Sequence, residues 1–323
     1  MKILVIGGAG FIGFNIAKYY SSKGHKVYII DDLSRGKIDK DFSDLIVSEN
    51  VTLINETLSN IYNIIHDDFD FIFHLAAIVG VKNVLDKPYE TLNTNIYLTD
   101  LAIKIAKRQK KLIRFIFTST SEIYSSAVDM QYVNVPTKEE TPFIMSNIFE
   151  ARSTYKLSKI VGEVMCINAG ISYTIFRPHN IYGPRMGMDH VIPELIKKMT
   201  SNTMGKSIEI KSYEHTRAFC YIDDAIEIIA TIVNSPATKN KIFNLGCEEE
   251  EISIGELAKL ISKTLKKNIL IKPGKIEQGS TTRRSPDMKY TFSKINTHQY
   301  TFLEDGLKKT YDWYRNFICE EHN

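Results

Sequence analysis

Cysteine is scarce in this chain. Its four residues, Cys166, Cys220, Cys247 and Cys319, stand far apart in 323 positions, with no Cys-x-x-Cys step and no paired histidines at ligand spacing. That distribution excludes a disulfide-stapled secreted fold and predicts reduced, structural thiols with no metal. Long apolar runs are missing too: none approaches the ~18 to 20 residues that a spanning helix requires. The opening MKILVIGGAGFIGFNIA has the lysine and apolar character of a secretory signal, but Gly7, Gly8, Gly10 and Gly13 break it at turn spacing. There is no basic arm or tail, no internal repeat and no low-complexity linker. The net charge is only +3, and the cluster Lys107, Arg108, Lys110 and Lys111 closes a helical pattern, where cations complement the helix dipole. Nucleic acid and membrane partners are therefore not expected, and a cytoplasmic location is.

What is present is the usage of a globular protein, 43% apolar and 24% charged, with length for two modest domains or one large one. Apolar strand-like runs at 2–6, 27–30, 69–75, 113–119 and 172–176 alternate with amphipathic segments such as 14–23, 94–107 and 155–167. That alternation predicts an α/β fold with a Rossmann-type, doubly wound parallel sheet. Beyond Pro178 the prolines and glycines cluster (Gly183, Pro184, Gly187, Pro193) and the strands become short, predicting a smaller α/β lobe. The expected division is 1–178, with part of 213–236 returning to it, and 179–323 for most of the second lobe.

The first strand runs straight into Gly7-Gly8-Ala9-Gly10-Phe11-Ile12-Gly13 and a helix. Glycines at this spacing permit a tight turn, let backbone amides approach a pyrophosphate, and let helix pack on strand. The spacing alone is a weak signal that any glycine-rich turn could give. Here the flanking strand and helix agree with it, as does a second strand ending in Asp31-Asp32, followed by Leu33 and Ser34. A carboxylate at that strand end accepts hydrogen bonds from the adenosine ribose hydroxyls and repels a 2′-phosphate, so the cofactor expected is NAD. Arg35 is the counter-evidence, a guanidinium that could take a 2′-phosphate, but it lies beyond two acidic residues and reads as a solvated loop cation.

Tyr155 and Lys159 lie one helical turn apart on one face. A phenol is a poor base at its ordinary pKa of ~10, and a neighbouring ammonium favours the phenolate. Tyr-x-x-x-Lys is common by chance, with two solvent-facing residues as its plain explanation. Its company raises it: the buried-strand pattern Phe115-Ile116-Phe117-Thr118-Ser119-Thr120 ends in hydroxyls that can serve the same substrate oxygen. With these residues the chain resembles an extended short-chain dehydrogenase/reductase of the nucleotide-sugar epimerase, dehydratase and decarboxylase group, over nearly its whole length.

The resemblance implies further roles. His74-Leu75-Ala76-Ala77 is similar to the family's segment beside the cofactor, and Asn95 to the helix asparagine that steadies the site. Thr120-Ser121-Glu122-Ile123-Tyr124 matches the Ser/Thr-x-x-x-Tyr segment and assigns the catalytic hydroxyl to Thr120. Asn180, in the Arg177–Pro184 segment, would touch the substrate diphosphate, and Arg217 would hold a phosphate. Arg284 and Asp287 belong to a segment closing over the nucleotide, and Arg185 and Arg283 offer further bidentate donors. Leu98, Ser125 and Glu56 depart from the pattern, Glu56 where an aspartate near the adenine is usual. The implied partners are a nucleotide-diphosphate sugar and a second copy, with the segments 94–107 and 152–167 pairing into a homodimer's four-helix bundle.

The shared first step would be proton removal from the sugar's 4-hydroxyl by Tyr155, with hydride passing to the nicotinamide. The expected outcome is 4-epimerisation, which needs no further acid or base. The alternatives are a 4,6-dehydratase or a uronate decarboxylase using Glu122; Thr120-Ser121-Glu122 and Arg152 resemble residues found in some of those enzymes. A non-catalytic NAD or nucleotide-sugar-binding module is the remote alternative, since it has no need to keep Thr120, Tyr155 and Lys159 together.

Overall fold

The computed structural model describes residues 1–36, 38–201, 207–277, 280–295 and 299–320, with side chains to 315. The chain begins β1 (Lys2–Ile6), α1 (Phe11–Ser22), β2 (Lys26–Asp31), α2 (Lys40–Ile46), β3 (Val51–Asn55), α3 (Leu58–Ile61), β4 (Phe71–His74), α4 (Val81–Asp86), α5 (Pro88–Arg108) and β5 (Arg114–Thr118). It continues α6 (Ser125–Asp129), α7 (Arg152–Ile167), β6 (Tyr173–Pro178), β7 (Ile181–Tyr182), α8 (Val191–Ser201), β8 (Ile208–Ile210), β9 (Thr216–Ala218), β10 (Cys220–Tyr221) and α9 (Ile222–Asn234). It ends β11 (Lys241–Leu245), β12 (Glu251–Ser253), α10 (Ile254–Thr264), β13 (Ile271–Pro273), β14 (Arg283–Arg284), α11 (Lys289–Phe292) and α12 (Leu303–Glu320).

Two compact units emerge, the first made of 1–123, 147–178 and 226–243, the second of 124–146, 179–225 and 244–323. The first is built on a seven-stranded sheet of order β11-β6-β5-β4-β1-β2-β3. All pairs from β6 through β3 are parallel. The strand order reverses between β1 and β4, so this is the doubly wound Rossmann arrangement expected from the alternation, whose ligand crevice lies at the carboxyl ends of the strands around that reversal. Strands buried on both faces explain why β1, β4 and β5 read as unbroken apolar runs. Two strands escaped the sequence reading. β3 is a half-exposed edge, Val-Thr-Leu-Ile-Asn, with little apolar signal, and β11 follows a Pro- and Lys-containing turn in what read as irregular chain. The helix expected at 94–107 begins earlier, because Pro88 sits at its first turn, where its missing amide costs nothing.

The second unit carries three small sheets, β10-β7, β12-β9-β14 and β13-β8. In the middle one β12 runs antiparallel and β14 parallel to β9, which sets Arg284 beside Arg217 in register. Helix α10 is capped by Ser253, whose hydroxyl accepts the Glu256 amide. Cys166, Cys220 and Cys247 are free and buried; the Cys319 side chain lies outside the described residues.

Candidate active site

The first turn of the sheet is shaped by absent side chains. Gly7 leaves β1 with φ of 86°, and a Cβ there would stand 2.6 Å from the Ala76 amide nitrogen; one on Gly13 would strike the Gly7 carbonyl. The exit of β4 crosses this loop, the Leu75 and Ala76 amides both donating to the Ile6 carbonyl at 2.8 and 3.0 Å. Helix α1 then starts at Phe11 after Gly10, with no side-chain cap and no acidic residue in its first turn. Its first amides therefore present an uncapped helix N-terminus suited to an anion. The Asp31 carboxylate accepts the Ala9 amide and the Leu33 amide, each at 2.9 Å, tying the glycine loop to the end of β2. The neighbouring Asp32 carboxylate accepts the Ser34 amide at 3.0 Å. A carboxylate oxygen has more than one acceptor site, so these bonds leave room for ribose hydroxyls. The loop, the helix end and the acidic strand end all fit a dinucleotide.

Behind the loop, buried His74 at the end of β4 meets the Thr99 hydroxyl at 3.2 Å. Burial drives its pKa down to about 3, with the Lys159 ammonium adding to the effect, so the ring is neutral. The Thr99 hydroxyl is itself a donor to the Asn95 carbonyl at 2.8 Å, so His74 is the donor to Thr99. Asn95 joins three segments. Its amide oxygen accepts the Ile78 amide at 2.7 Å, and its amide nitrogen donates to the Ile78 carbonyl and the Ser158 hydroxyl, each at 3.1 Å. Ser158 passes the link on to the Tyr155 carbonyl at 2.7 Å. The asparagine thus braces α7 where Tyr155 projects.

Lys159 is buried, donates to the Thr118 carbonyl at 2.8 Å and lies over the Phe117 ring. Its pKa falls to about 8, because burial disfavours the ammonium more than neighbouring Cys166 and Glu163 favour it. Thr120, just past β5, accepts the Glu122 amide on its hydroxyl at 3.2 Å and keeps its own proton to donate. Beside it the Glu122 carboxylate faces the Arg152 guanidinium at 3.5 Å, both partly exposed. Thr120, Ser121 and Glu122 follow β5, while Arg152, Tyr155 and Lys159 share α7.

In the second unit the arginines divide. The Arg217 guanidinium donates to the carbonyls of Thr216, Thr281 and Thr282 at 2.7 to 3.4 Å and to the Ser280 hydroxyl at 3.2 Å. Arg283 forms a two-pronged bond to the Glu251 carboxylate at 2.7 and 2.8 Å. Next to it on β14, Arg284 makes no side-chain hydrogen bond or ion pair among the described residues, while its carbonyl lies 3.5 Å from the Asn180 amide nitrogen. Asn180, at φ of 38°, also donates to the Ala218 carbonyl at 3.0 Å. Arg185 has φ of 66°, and Asp287 accepts the Lys289 amide at 3.0 Å at the start of α11. Glu56, the departure near the expected adenine contact, is taken up by Asn60 at 2.6 Å.

The sequence reading missed the buried pair of Glu163 and Arg177, which meet at 2.6 and 2.9 Å. The signal was available: Glu163 continues the four-residue spacing of Tyr155 and Lys159. Among the described residues no cluster of His, Cys, Asp and Glu could hold a metal, and no helix is long and apolar enough to cross a membrane.

Known proteins match this architecture over its full extent. A UDP-N-acetyl-alpha-D-glucosaminuronate decarboxylase of Bacillus cytotoxicus is 31% identical over 97% of this chain and 98% of its own. Among solved structures, a UDP-N-acetylglucosamine 4-epimerase from Methanobrevibacter ruminantium superposes with a TM-score of 0.84 at 25% identity, over 98% of both chains. A UDP-glucuronic acid 4-epimerase from Bacillus cereus, solved with UDP-glucuronic acid and NAD, gives 0.84 at 26% over 98% of this chain and 100% of that one. The sequence model described as the NAD dependent epimerase/dehydratase family matches residues 3–246. This chain, whose Rossmann sheet opens on a turn fit for NAD, is thus an enzyme belonging to the NAD-dependent epimerase/dehydratase family, among the nucleotide-sugar epimerases, dehydratases and decarboxylases.

Proposed function

We propose that the enzyme decarboxylates a nucleotide-diphosphate uronic acid through transient oxidation at carbon 4. The observation that carries this reading is the Glu122–Arg152 ion pair, 3.5 Å apart, with Thr120 two residues before Glu122 and Tyr155 three after Arg152. An epimerase has no use for an acid at that place, whereas a decarboxylase must return a proton to carbon 5. The full-length likeness to a uronate decarboxylase supports the same choice, and moves the reading from the 4-epimerase expected above to its alternative.

Tyr155, as phenolate beside the Lys159 ammonium, takes the proton of the 4-hydroxyl, and Thr120 donates a hydrogen bond to the same oxygen. NAD, held by the Gly7–Gly13 turn with Asp31 and Asp32, would supply reversible hydride transfer at carbon 4. The 4-keto sugar is then a β-keto acid: the bond from carbon 5 to the carboxylate breaks, carbon dioxide leaves, and the electron pair is held as an enolate on the carbon 4 oxygen. Thr120 and Tyr155 stabilise that oxygen. Glu122, held by Arg152 and protonated from solvent, delivers that proton to carbon 5. Arg217 and Arg284 hold the diphosphate with Asn180, and Asp31 and Asp32 select NAD over NADP. Arg185 and Asp287 complete the nucleotide end of the substrate.

A second reading, 4-epimerisation, is supported by the solved epimerases, and leaves Glu122 a structural partner of Arg152. Incubation with UDP-glucuronic acid, UDP-N-acetylglucosaminuronic acid, UDP-glucose and UDP-N-acetylglucosamine, with products identified by mass and NMR, separates the two. Loss of carbon dioxide from a uronate establishes the first; unchanged mass with inverted carbon 4 replaces it with the second; loss of water overturns both.

We also propose that the chain forms a homodimer. Tyr97 on α5 and Val164 on α7 are 49% and 51% exposed apolar side chains, and Leu157 and Ile167 extend the same helix surface. Pairing of α5 and α7 with a second copy would cover them. Light scattering should give twice the 36.9 kDa chain mass, and a monomer at micromolar concentration would reject the pairing.

A further inference from the structure

Helix α7 is fastened to the sheet at three successive points along one face. Lys159 donates to the Thr118 carbonyl of β5 at 2.8 Å. Gly162 lies directly on the Phe117 ring, where any Cβ would collide with it. One residue on, Glu163 takes both prongs of Arg177 from β6, at 2.9 and 2.6 Å, with the two side chains only 1% and 2% exposed. A buried two-pronged ion pair has one geometry, so it fixes the height and rotation of the helix that bears it. That helix is the one carrying Tyr155 and Lys159.

The pair also has an electrostatic consequence. A buried ammonium is costly unless an opposite charge lies near. On α7 the groups coupled to Lys159 are Cys166 and Glu163, and from β4 it is His74. Burial pushes the Cys166 thiol well up, so it is uncharged near neutrality, and His74 is neutral for the same reason. Glu163 holds its charge in the two-pronged pair with Arg177, and Tyr155, one turn back on α7, is the other group that can bear a negative charge beside Lys159. Arg177, bonded to the Glu163 carboxylate, offsets part of its field.

We propose that Glu163 and Arg177 are a positioning pair that locks α7 on the sheet and supplies the counter-charge for the buried Lys159 ammonium. The pair touches no substrate and acts through Lys159, so the proposal deepens the Tyr155–Lys159 reading and rests on it for its catalytic meaning. Its sign is definite. Losing the Glu163 charge makes the Lys159 ammonium harder to hold, and the tyrosine then loses the cation that favours its phenolate at neutral pH.

The test follows Lys159 itself, by NMR of the full chain carrying isotope-labelled lysine, with its resonance assigned by loss in Lys159→Met. In the unsubstituted protein the midpoint should lie near about 8. Glu163→Gln should lower it by roughly one pH unit or more, and Glu163→Asp should restore most of the shift. Because Glu163→Gln leaves Arg177 buried without its partner and can unfold the chain, Glu163→Gln/Arg177→Met is measured beside it. That double variant removes both charges and should still titrate below the unsubstituted protein. A Lys159 midpoint unchanged in the double variant overturns the proposal. Turnover of Tyr155→Phe is a separate measurement: if it persists, the base assignment fails, while the Lys159 titration still decides whether Glu163 supports the ammonium.

Discussion

The cations around the catalytic pair are held differently from the arginines of the second unit. In the first unit, Lys159 is held by one backbone carbonyl and a distant carboxylate, and Arg152 faces Glu122 at 3.5 Å, a loose pairing that leaves both groups partly exposed. In the second, Arg217 is bound by three carbonyls and a hydroxyl and Arg283 by a two-pronged carboxylate, while Arg284 beside it makes no side-chain bond among the described residues. The lesson is that spacing places a charged side chain, whereas the chain's own acceptors decide whether it is available. Arg283 and Arg284 are adjacent in sequence, but they are neighbours on a strand and point to opposite faces.

The sharpest test of that contrast lies in the first unit. Tyr155→Phe should fold and retain NAD yet lose turnover by ~10²-fold to 10⁴-fold or more, the range general base removal commonly produces. Lys159→Met should be nearly as damaging at pH 7, but its deficit should shrink as pH rises toward ~10, where a phenol ionises without help. A deficit independent of pH would mean that Lys159 does not act through the phenol. Both rates can be read from product formation with the nucleotide sugar identified by the panel above.

Much of this first unit was legible because local patterns sufficed. β1, the glycine turn and Asp31 lie within one βαβ stretch, and Tyr155 and Lys159 share one helix, so period and spacing located them without any long-range contact. The edge strand β3 and the late strand β11 were missed because one lacks an apolar run and the other is recruited across some sixty residues from β6 to complete the sheet. Sequence also could not reveal that Arg217 is wrapped by the Thr281 and Thr282 carbonyls and the Ser280 hydroxyl, since two of these three partners are backbone groups that any residues would supply. Nor could it reveal that Glu251, from the acidic run after Cys247, would engage Arg283.

The next effect in size concerns Glu122 and Arg152. If Glu122 protonates carbon 5, Glu122→Gln should cut carbon dioxide release by ~10²-fold, within the range of a positioned acid, and deuterium from heavy water should enter carbon 5 more slowly. Arg152→Met should do less, since it leaves the acid in place and removes only the guanidinium that faces it. Unimpaired turnover of Glu122→Gln would return the enzyme to the epimerase reading.

The smallest effects come from the paired arginines and decide whether their difference is functional. Arg284→Ala should weaken nucleotide-sugar binding by ~10-fold or more, the worth of a charge-assisted hydrogen bond to phosphate, and leave thermal stability nearly unchanged. Arg283→Ala should do the reverse. Its pair with Glu251 is half exposed, so the stability lost near neutrality should be at most ~1 kcal/mol, with KM little altered. The pH dependence identifies the pair. Arg283 holds the Glu251 carboxyl below its ordinary value of 4.5, a hydrogen bond from Thr216 helping against burial. A carboxyl depressed in the folded state contributes stability that is present above 4.5 and disappears as pH falls through the lowered folded value. The difference in denaturation midpoint between Arg283→Ala and the unsubstituted protein should therefore be full at pH 7 and close toward zero in acid. A gap that stays constant down to pH ~3, below the ordinary carboxyl range, would show that Arg283 acts by packing rather than by its charge.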